Sequence, residues 1–599
     1  MGISYPFVQI KVTFMKFRSR YIALIVLTGV IASSLFASST SERAFGEITI
    51  ERTSFVRQNG RVVHFSIYKP SEYNYGEPMP AVVTIHGISG SREAMESYNI
   101  ELARRNFTVV SVDTAGHGVS TEKFGFASFM EAVTDAYEAV RHVQMIDPFT
   151  DDYTYGVIGH SLGAGMALLF QEMPVLPNAT VIIGGGMGDS FGGLELPLNE
   201  TNPANLLIAS GIYDELIDSA VAYETLRQST GLETVEEDIV YGSFQNGTAR
   251  KLVLSATNHL FEISDHLLIA NTLEWMGLSL QESKYSYNKY SANDHIYQYR
   301  GFANFILITG LILSIFPIVL ITQSKLPSQF RPKPQVTREY PIKSKRAVQI
   351  SFILSLLSGI ILLGVVFLGF GFEFGGISLL PIAFGSTIIL YSIIMFFVNL
   401  FILRRELGEN LELYHGTIEN GILSHLKRNI PRGIVLLVPV IVWMIVWSAI
   451  STYALHTRFT LIWPVEGISA LYRTMYLFIL LFSLIPIFYS EKIWINATMG
   501  ANREWSGFKG LTLDVLKTIL YRLSGIVVLL LILYGPFLMG IRFGFIMFIA
   551  LLMLPFTLIL GICVVLNLWV GRVTKNDLAS AMTSALILAL IIAGTFQLL

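Results

Sequence analysis

Apolar residues follow two rhythms along this chain, and the change between them divides it. From Gly301 onward they come in eight long runs, near 302–322, 348–370, 377–403, 430–454, 470–490, 518–537, 543–568 and 579–598. Each is long enough to cross a bilayer as a helix. A further run, Tyr21 to Ala37, stands near the start behind Lys11, Lys16, Arg18 and Arg20. It is either an uncleaved signal anchor or a signal peptide, and the lack of a clear small-residue cleavage pattern favours the anchor.

Between them the rhythm is shorter. Val62 to Tyr68, Ala81 to Ile85, Thr108 to Val112, Tyr153 to Ile158, Thr180 to Ile183, Asn205 to Ala209 and Lys251 to Leu254 are short β-rich runs. Several are continuously apolar, as strands covered on both faces are. Glu93 to Arg105 and Phe129 to Met145 have the length and composition of helices. Such alternation predicts an α/β unit with a mostly parallel sheet and helices on both faces. The expected organisation is a cytoplasmic N-terminus over 1–20, a span over 21–38, an α/β domain over 46–280, a polar tether over 281–300 and an all-α membrane domain over 301–599 with eight spans.

Composition supports that division. A chain of 599 residues is too long for one core, and 52% of it is hydrophobic while 14% is charged. Soluble chains average roughly 25% charged residues. The net charge of −2 hides a segregation: Ser39 to Tyr297 holds 33 acidic and 15 basic residues, the remainder 11 and 27. Basic loops after alternate apolar runs carry Lys325 to Arg346, then Arg404, Arg405, Lys427, Arg428 and Arg432, then Lys492, Arg503, Lys509, Lys517 and Arg522, then Arg572 and Lys575. The positive-inside rule therefore predicts a multi-pass cell-membrane protein with a cytoplasmic N-terminus, an extracytoplasmic α/β domain and an external C-terminus. No basic stripe interleaved with aromatics marks a nucleic-acid surface. The single cysteine, Cys563, excludes an intrachain disulfide framework.

The expected spans hold almost no ionisable residues in their interiors, which argues against an ion path. Arg473 and Arg522 fall near span ends. Pro317, Pro381, Pro439, Pro486, Pro536 and Pro555 recur inside spans and are read as packing kinks. Asn106, Asn178, Asn199 and Asn246 stand in N-x-[ST] triplets, as does Asn496 on the expected cytoplasmic side. No metal-ligand cluster, Walker loop or dinucleotide fingerprint is present, so neither metal nor cofactor is expected.

Candidate chemistry centres on Gly159-His160-Ser161-Leu162-Gly163, between a strand-like run and a helix-like one. That setting predicts a sharp turn presenting Ser161 above a sheet edge, with glycines two residues either side to permit it. A serine hydroxyl needs an adjacent base, and the base an orienting carboxylate. In sheets of this kind the order is Ser, Asp or Glu, then His. Asp214, just after a strand, is the best acid, with Glu215 and Asp218 as alternatives. His259, after the last strand, is the best base, with His266 as runner-up. An oxyanion needs two backbone N–H donors. Leu162, directly after the serine, is one. Ile88 in His86-Gly87-Ile88-Ser89-Gly90 is the other, with Ser89 as an alternative. Asp113 to Ser120 is read as a supporting turn, and His117 within it as scaffold.

These pieces together resemble the α/β-hydrolase superfamily over residues 46–280: Val83-Thr84-Ile85-His86-Gly87, Asp113 to Ser120, Gly159 to Gly163, Gly211 to Asp214, and His259. The flavour is similar to the dienelactone-hydrolase and prolyl-oligopeptidase branches. The resemblance implies a Ser161–Asp214–His259 triad acting through an acyl-enzyme on an ester, thioester or amide, and an N-terminal hairpin. One departure is the stretch where such enzymes carry a lid: Gly184 to Pro203 is short and glycine-rich. The expectation is a membrane-anchored serine hydrolase of carboxylic esters. Its substrate is a small-molecule ester, a lipid or a peptide, and it also meets membrane lipid. Alternatives are a peptidase or acyltransferase on the same triad, or a non-catalytic ectodomain serving the membrane domain. Oligomeric state is left open.

Overall fold

The computed structural model describes residues 17–72, 78–125, 129–186, 198–281, 289–327, 345–374, 385–407, 422–458, 467–499, 508–541 and 546–595. Lys11, Lys16, Arg331, Lys333, Arg338, Lys343, Arg503 and Pro381 lie outside them, as do 187–197 of the expected lid stretch and 282–288 of the expected tether.

Eight strands form one sheet: β1 Ile48–Val56, β2 Val62–Pro70, β3 Met79–Ile85, β4 Thr108–Asp113, β5 Thr150–His160, β6 Ala179–Ile183, β7 Leu206–Gly211 and β8 Arg250–Ser255. Their order is β1-β2-β4-β3-β5-β6-β7-β8. β1 and β2 pair antiparallel, as do β2 and β4, and every later pair is parallel. The seven strand-like runs of the sequence are all present. β1 was not among them: its exposure alternates along the strand, as befits a sheet edge with one face in solvent. Every residue of β4, β6 and β7 is buried, which is why those runs are continuously apolar.

Helices cover both faces. One layer packs α3 Phe129–Ile146, α4 Leu162–Leu169 and α5 Ser219–Thr230 over a core that includes Val83, Val110, Val140, Val157 and Leu226. The other sets α2 Glu96–Ala103 and α6 His266–Met276 against Val82, Val109, Ile158, Val181 and Leu207. Neighbouring strand residues point to opposite faces, so Val82 and Val83 enter different cores. The order in which strands are added reverses about β3: β4 lies on one side of it and β5 on the other. The loops that leave the carboxyl ends of β3 and β5 diverge at that point, which is where such sheets hold ligands.

Apolar helices make up most of the remainder. α1 Phe17–Glu42 precedes the sheet, and α7 Tyr297–Lys325 follows it. These two pack along each other. The ends of the α/β unit are thereby brought together: Arg300 meets Glu42 at 3.0 Å, and Ser38 Oγ donates to Asn304 Oδ1 at 2.7 Å. Beyond them run α8 Lys345–Phe374, α9 Gly385–Leu407, α10 Ile422–Ala449, α11 Gly467–Met499, α12 Phe508–Leu538, α13 Ile546–Thr574 and α14 Asp577–Thr595. α14 is the most buried of these helices among the described residues and packs against α10, α11 and α13.

Six helices among the described residues are long and apolar enough to cross a membrane: 18–42, 297–325, 429–454, 472–492, 546–574 and 577–594. The sequence led to an expectation of nine. The other three places are helical as well: α8, α9 and α12 run 30, 23 and 31 residues, with described apolar stretches at Ile353–Val366, Gly385–Phe401 and Arg522–Leu538. Where α8 meets α12, close approach replaces bulk: a Cβ on Gly525 would sit 2.0 Å from the Ser355 carbonyl oxygen, and Ser355 Oγ lies 2.9 Å from Ser524 Oγ.

Candidate active site

The turn around Ser161 is strained in the way its sequence suggests. Ser161 has φ 56° and ψ −115°, outside the regions open to most side chains. A Cβ at Gly159 would lie 1.9 Å from the Gly163 carbonyl oxygen, and one at Gly163 would lie 2.2 Å from that of Ile85. Only glycine fits at either place. The Ser161 N–H donates to Ile183 O at 2.9 Å, tying the turn to β6. The chain then enters α4, where the Ala164 N–H donates to Ser161 O at 2.9 Å.

Three side chains from three loops converge there. His259, in the loop after β8, has Nε2 2.8 Å from Ser161 Oγ and Nδ1 2.8 Å from Asp214 Oδ2. Asp214 follows β7, is fully buried, and takes the N–H groups of Leu216 and Ile217 on its other oxygen at 2.7 and 2.9 Å. Burial pushes the Asp214 carboxyl up, but the facing His259 and the donated hydrogen bonds outweigh it, and its pKa falls below the usual value. Asp214 is therefore a carboxylate able to stabilise an imidazolium.

The other acid and base candidates have different surroundings. Asp218 caps α5 by accepting the Ala220 N–H. Glu215 takes the His259 backbone N–H at 3.2 Å, so it supports the histidine loop and not the ring. His266 begins α6, is exposed, and lies against His295 with ring centroids 4.3 Å apart. The Ser89 N–H donates to His117 Nε2 at 3.2 Å, which leaves Ile88 as the better-placed candidate donor in that loop. His117 is fully buried, its Nδ1 meets Ala115 O at 2.8 Å, and burial holds its pKa well below the ordinary range. It holds two loops together. Asp113 does likewise, accepting the N–H groups of Arg92 and Val119.

Behind the ring lies a second carboxyl group that the sequence did not reveal. Glu262 is fully buried and accepts the Gly211 N–H on Oε1 at 2.7 Å. Its Oε2 is 3.5 Å from His259 Nδ1 and 3.3 Å from His160 Nε2. Burial, reinforced by the Asp214 charge, raises its pKa well above the carboxylate range. Burial, with His259 adding to it, pushes the His160 ring down to about 3. His160 is thus neutral near pH 7, and its Nε2 also lies 3.2 Å from the His259 carbonyl oxygen. His160, His259 and Glu262 also lie close enough to share a cation, but both ring nitrogens of His259 are engaged by Ser161 and Asp214. The only sequence signal for Glu262 is its position three residues past His259.

Comparison with known proteins bears on this half of the chain. Residues 76–188 match the family model described as Hydrolase_4, serine aminopeptidase S33. That family lies within the α/β-hydrolase superfamily, and the sheet of eight mostly parallel strands fits it. The matched segment contains Ile88, Ser161 and Leu162 but ends before Asp214 and His259. Over 112 residues the chain is 30% identical to a protein of Cyberlindnera fabianii named "Probable alcohol acetyltransferase", covering 18% of this chain and 28% of that protein. The chain thus matches little more than a quarter of that relative. The family match points to a serine hydrolase-type enzyme, with an acyl-transferring or hydrolytic activity.

Proposed function

We propose that this chain is a membrane-anchored serine hydrolase that cleaves carboxylic esters through an acyl-enzyme, with Ser161 as nucleophile, His259 as general base and then acid, and Asp214 as the orienting carboxylate. The observation that carries the reading is the unbroken hydrogen-bonded line from Ser161 Oγ through His259 to Asp214, both links 2.8 Å. Ser161 Oγ attacks the acyl carbon and passes its proton to His259 Nε2. The oxyanion rests on the N–H groups of Leu162 and Ile88. Collapse expels the alcohol, which takes the proton from His259. A second hydroxyl then attacks the acyl-enzyme and gives its proton to His259, which returns it to Ser161 Oγ as the bond between that oxygen and the acyl carbon breaks.

That second hydroxyl is water in hydrolysis. The likeness to a protein named an acetyltransferase supports a second reading, in which it is an alcohol and the acyl group is transferred. Peptide cleavage would use the same groups, and pocket shape decides between them. The segregation of basic residues into the apolar half supports an extracytoplasmic catalytic unit with the N-terminus in the cytoplasm.

The test is labelling of the full-length protein in membranes with a fluorophosphonate, wild type against Ser161→Ala. Labelling lost in the variant supports an activated serine, and a membrane-impermeant probe applied to intact cells tests the orientation. A folded wild type that does not label overturns the reading.

A further inference from the structure

The loops that carry the candidate site also touch the apolar helices. Ile88, whose N–H is assigned to the oxyanion, has a side chain that packs against both the sheet core and the large helical core. Leu216, two residues after Asp214, packs against that helical core and against a smaller cluster of Leu529, Leu533, Met547 and Ala550 from α12 and α13. Between these contacts a polar link crosses the boundary. Tyr534 of α12 donates to Glu215 Oε1 at 3.0 Å, and the other oxygen of Glu215 holds the His259 backbone. Arg473 of α11 reaches Gly116 O, beyond β4, at 3.4 Å. Among the described residues, the loops after β3, β4 and β7 all end on these helices. Ser161 itself is only 8% exposed and His259 4%.

This side of the catalytic centre is therefore walled by hydrocarbon. We propose that the substrate is a long-chain acyl ester of the bilayer, whose chain lies along α12 and α13 past Leu216 while Ser161 attacks its carbonyl. The proposal rests on the hydrolase reading and names its substrate class. An acyl chain moving from lipid onto a helix surface exchanges one apolar contact for another, so it reaches the wall at little cost. A polar substrate loses water there, and the Tyr534 and Glu215 side chains at the boundary are already paired with each other. The order of the chemistry agrees. The acyl part stays bonded to Ser161 through both half-reactions, so it is the part an apolar wall would retain. The alcohol leaves, and the second hydroxyl arrives, from the polar side.

The experiment uses the full chain in lipid nanodiscs and a hexadecyl fluorophosphonate with a diazirine at the far end of its chain. After Ser161 has reacted, irradiation and peptide mapping show where the chain lies. Crosslinks on 508–538 or 546–574 are expected. Labelled Ser161 with crosslinks confined to 48–281, or to lipid alone, overturns the acyl wall and leaves the hydrolase reading standing. Failure of Ser161 to label overturns both. As a second measurement, Leu533→Trp should lower the ratio of kcat/KM for a sixteen-carbon ester to that for a four-carbon ester at least tenfold. An unchanged ratio counts against the wall.

Discussion

The α/β unit and the helical bundle both bury polar side chains, but they organise them differently. In the α/β unit His160 and Ser161 at the end of β5, Asp214 after β7, and His259 and Glu262 after β8 come from three separate segments and meet at one point. In the bundle the polar contacts tie helices in pairs. Ser355 meets Ser524, Ser392 donates to Ser483 O, and Asn399 donates to Ser490. A parallel sheet directs loops from neighbouring strands to one edge, so their side chains accumulate there. A helix in lipid satisfies its own backbone and offers single polar side chains to neighbours. Convergence makes a reactive site, whereas pairing makes adhesion.

Substitutions can break that contrast or sharpen it. The largest effects belong to the convergent group. Ser161→Ala and His259→Ala should each lower kcat by about 10³-fold or more, and the double variant should lose little beyond either single one, because the groups act as a unit. Multiplicative losses in steady-state kinetics would mean that they do not.

Glu262 comes next. Glu262→Ala leaves the buried Gly211 N–H without its acceptor, at a cost of about 1–3 kcal/mol in stability, and loosens His259. Glu262→Gln keeps an acceptor for the Gly211 N–H and should stay close to wild type in melting temperature and turnover. Equal damage by both variants would show that the carboxyl group itself is needed.

A smaller effect should follow pH. The His160 ring, held down to about 3 by burial, is neutral in the fold, whereas an unfolded histidine titrates near 6.5. Between those values the unfolded chain binds the extra proton. The stability that neutral His160 contributes is therefore complete above pH 6.5 and is lost as pH falls toward 3. Melting temperatures of His160→Asn should decline less steeply than wild type over that interval. A parallel decline would remove His160 from the acid limb.

The smallest change is expected in the bundle. A double-mutant cycle on Ser355→Ala and Ser524→Ala should return about 0.6 kcal/mol, with ester turnover unaltered. A large coupling, or a change in turnover, would mean that polar pairs between helices do more than join them.

Sequence showed the α/β unit better than the bundle, for a physical reason. Buried parallel strands must be apolar throughout, so β4, β6 and β7 stand out as written. The turn at Ser161 demands Gly159 and Gly163 at fixed spacing, and loop order suggested Asp214 and His259. β1 was missed because an edge strand with one wet face has a weak pattern. Glu262 lies in a short turn where no local rule marks a glutamate, and its meaning comes from Gly211, fifty-one residues earlier. The contacts of Ile88, Glu215 and Leu216 with helices hundreds of residues away leave no local trace either. Hydropathy placed nine apolar runs, a helix lies on each of them, and six among the described residues have the length and apolarity of a span.

The nearness of Glu42 to Arg300 carries one more consequence. The chain leaves α1, builds the whole eight-stranded unit, and returns to α7 beside its point of departure. In topological terms the enzyme-like half is an insertion in the turn of a two-helix hairpin, and not a bead on a string. A short linker joining Ser41 to Gly301 should close that hairpin with the α1–α7 contact intact. Two adjacent stalks, unlike one, also forbid the unit from spinning about its attachment, so the face it turns toward the lipid is set by the way it is wired into the chain.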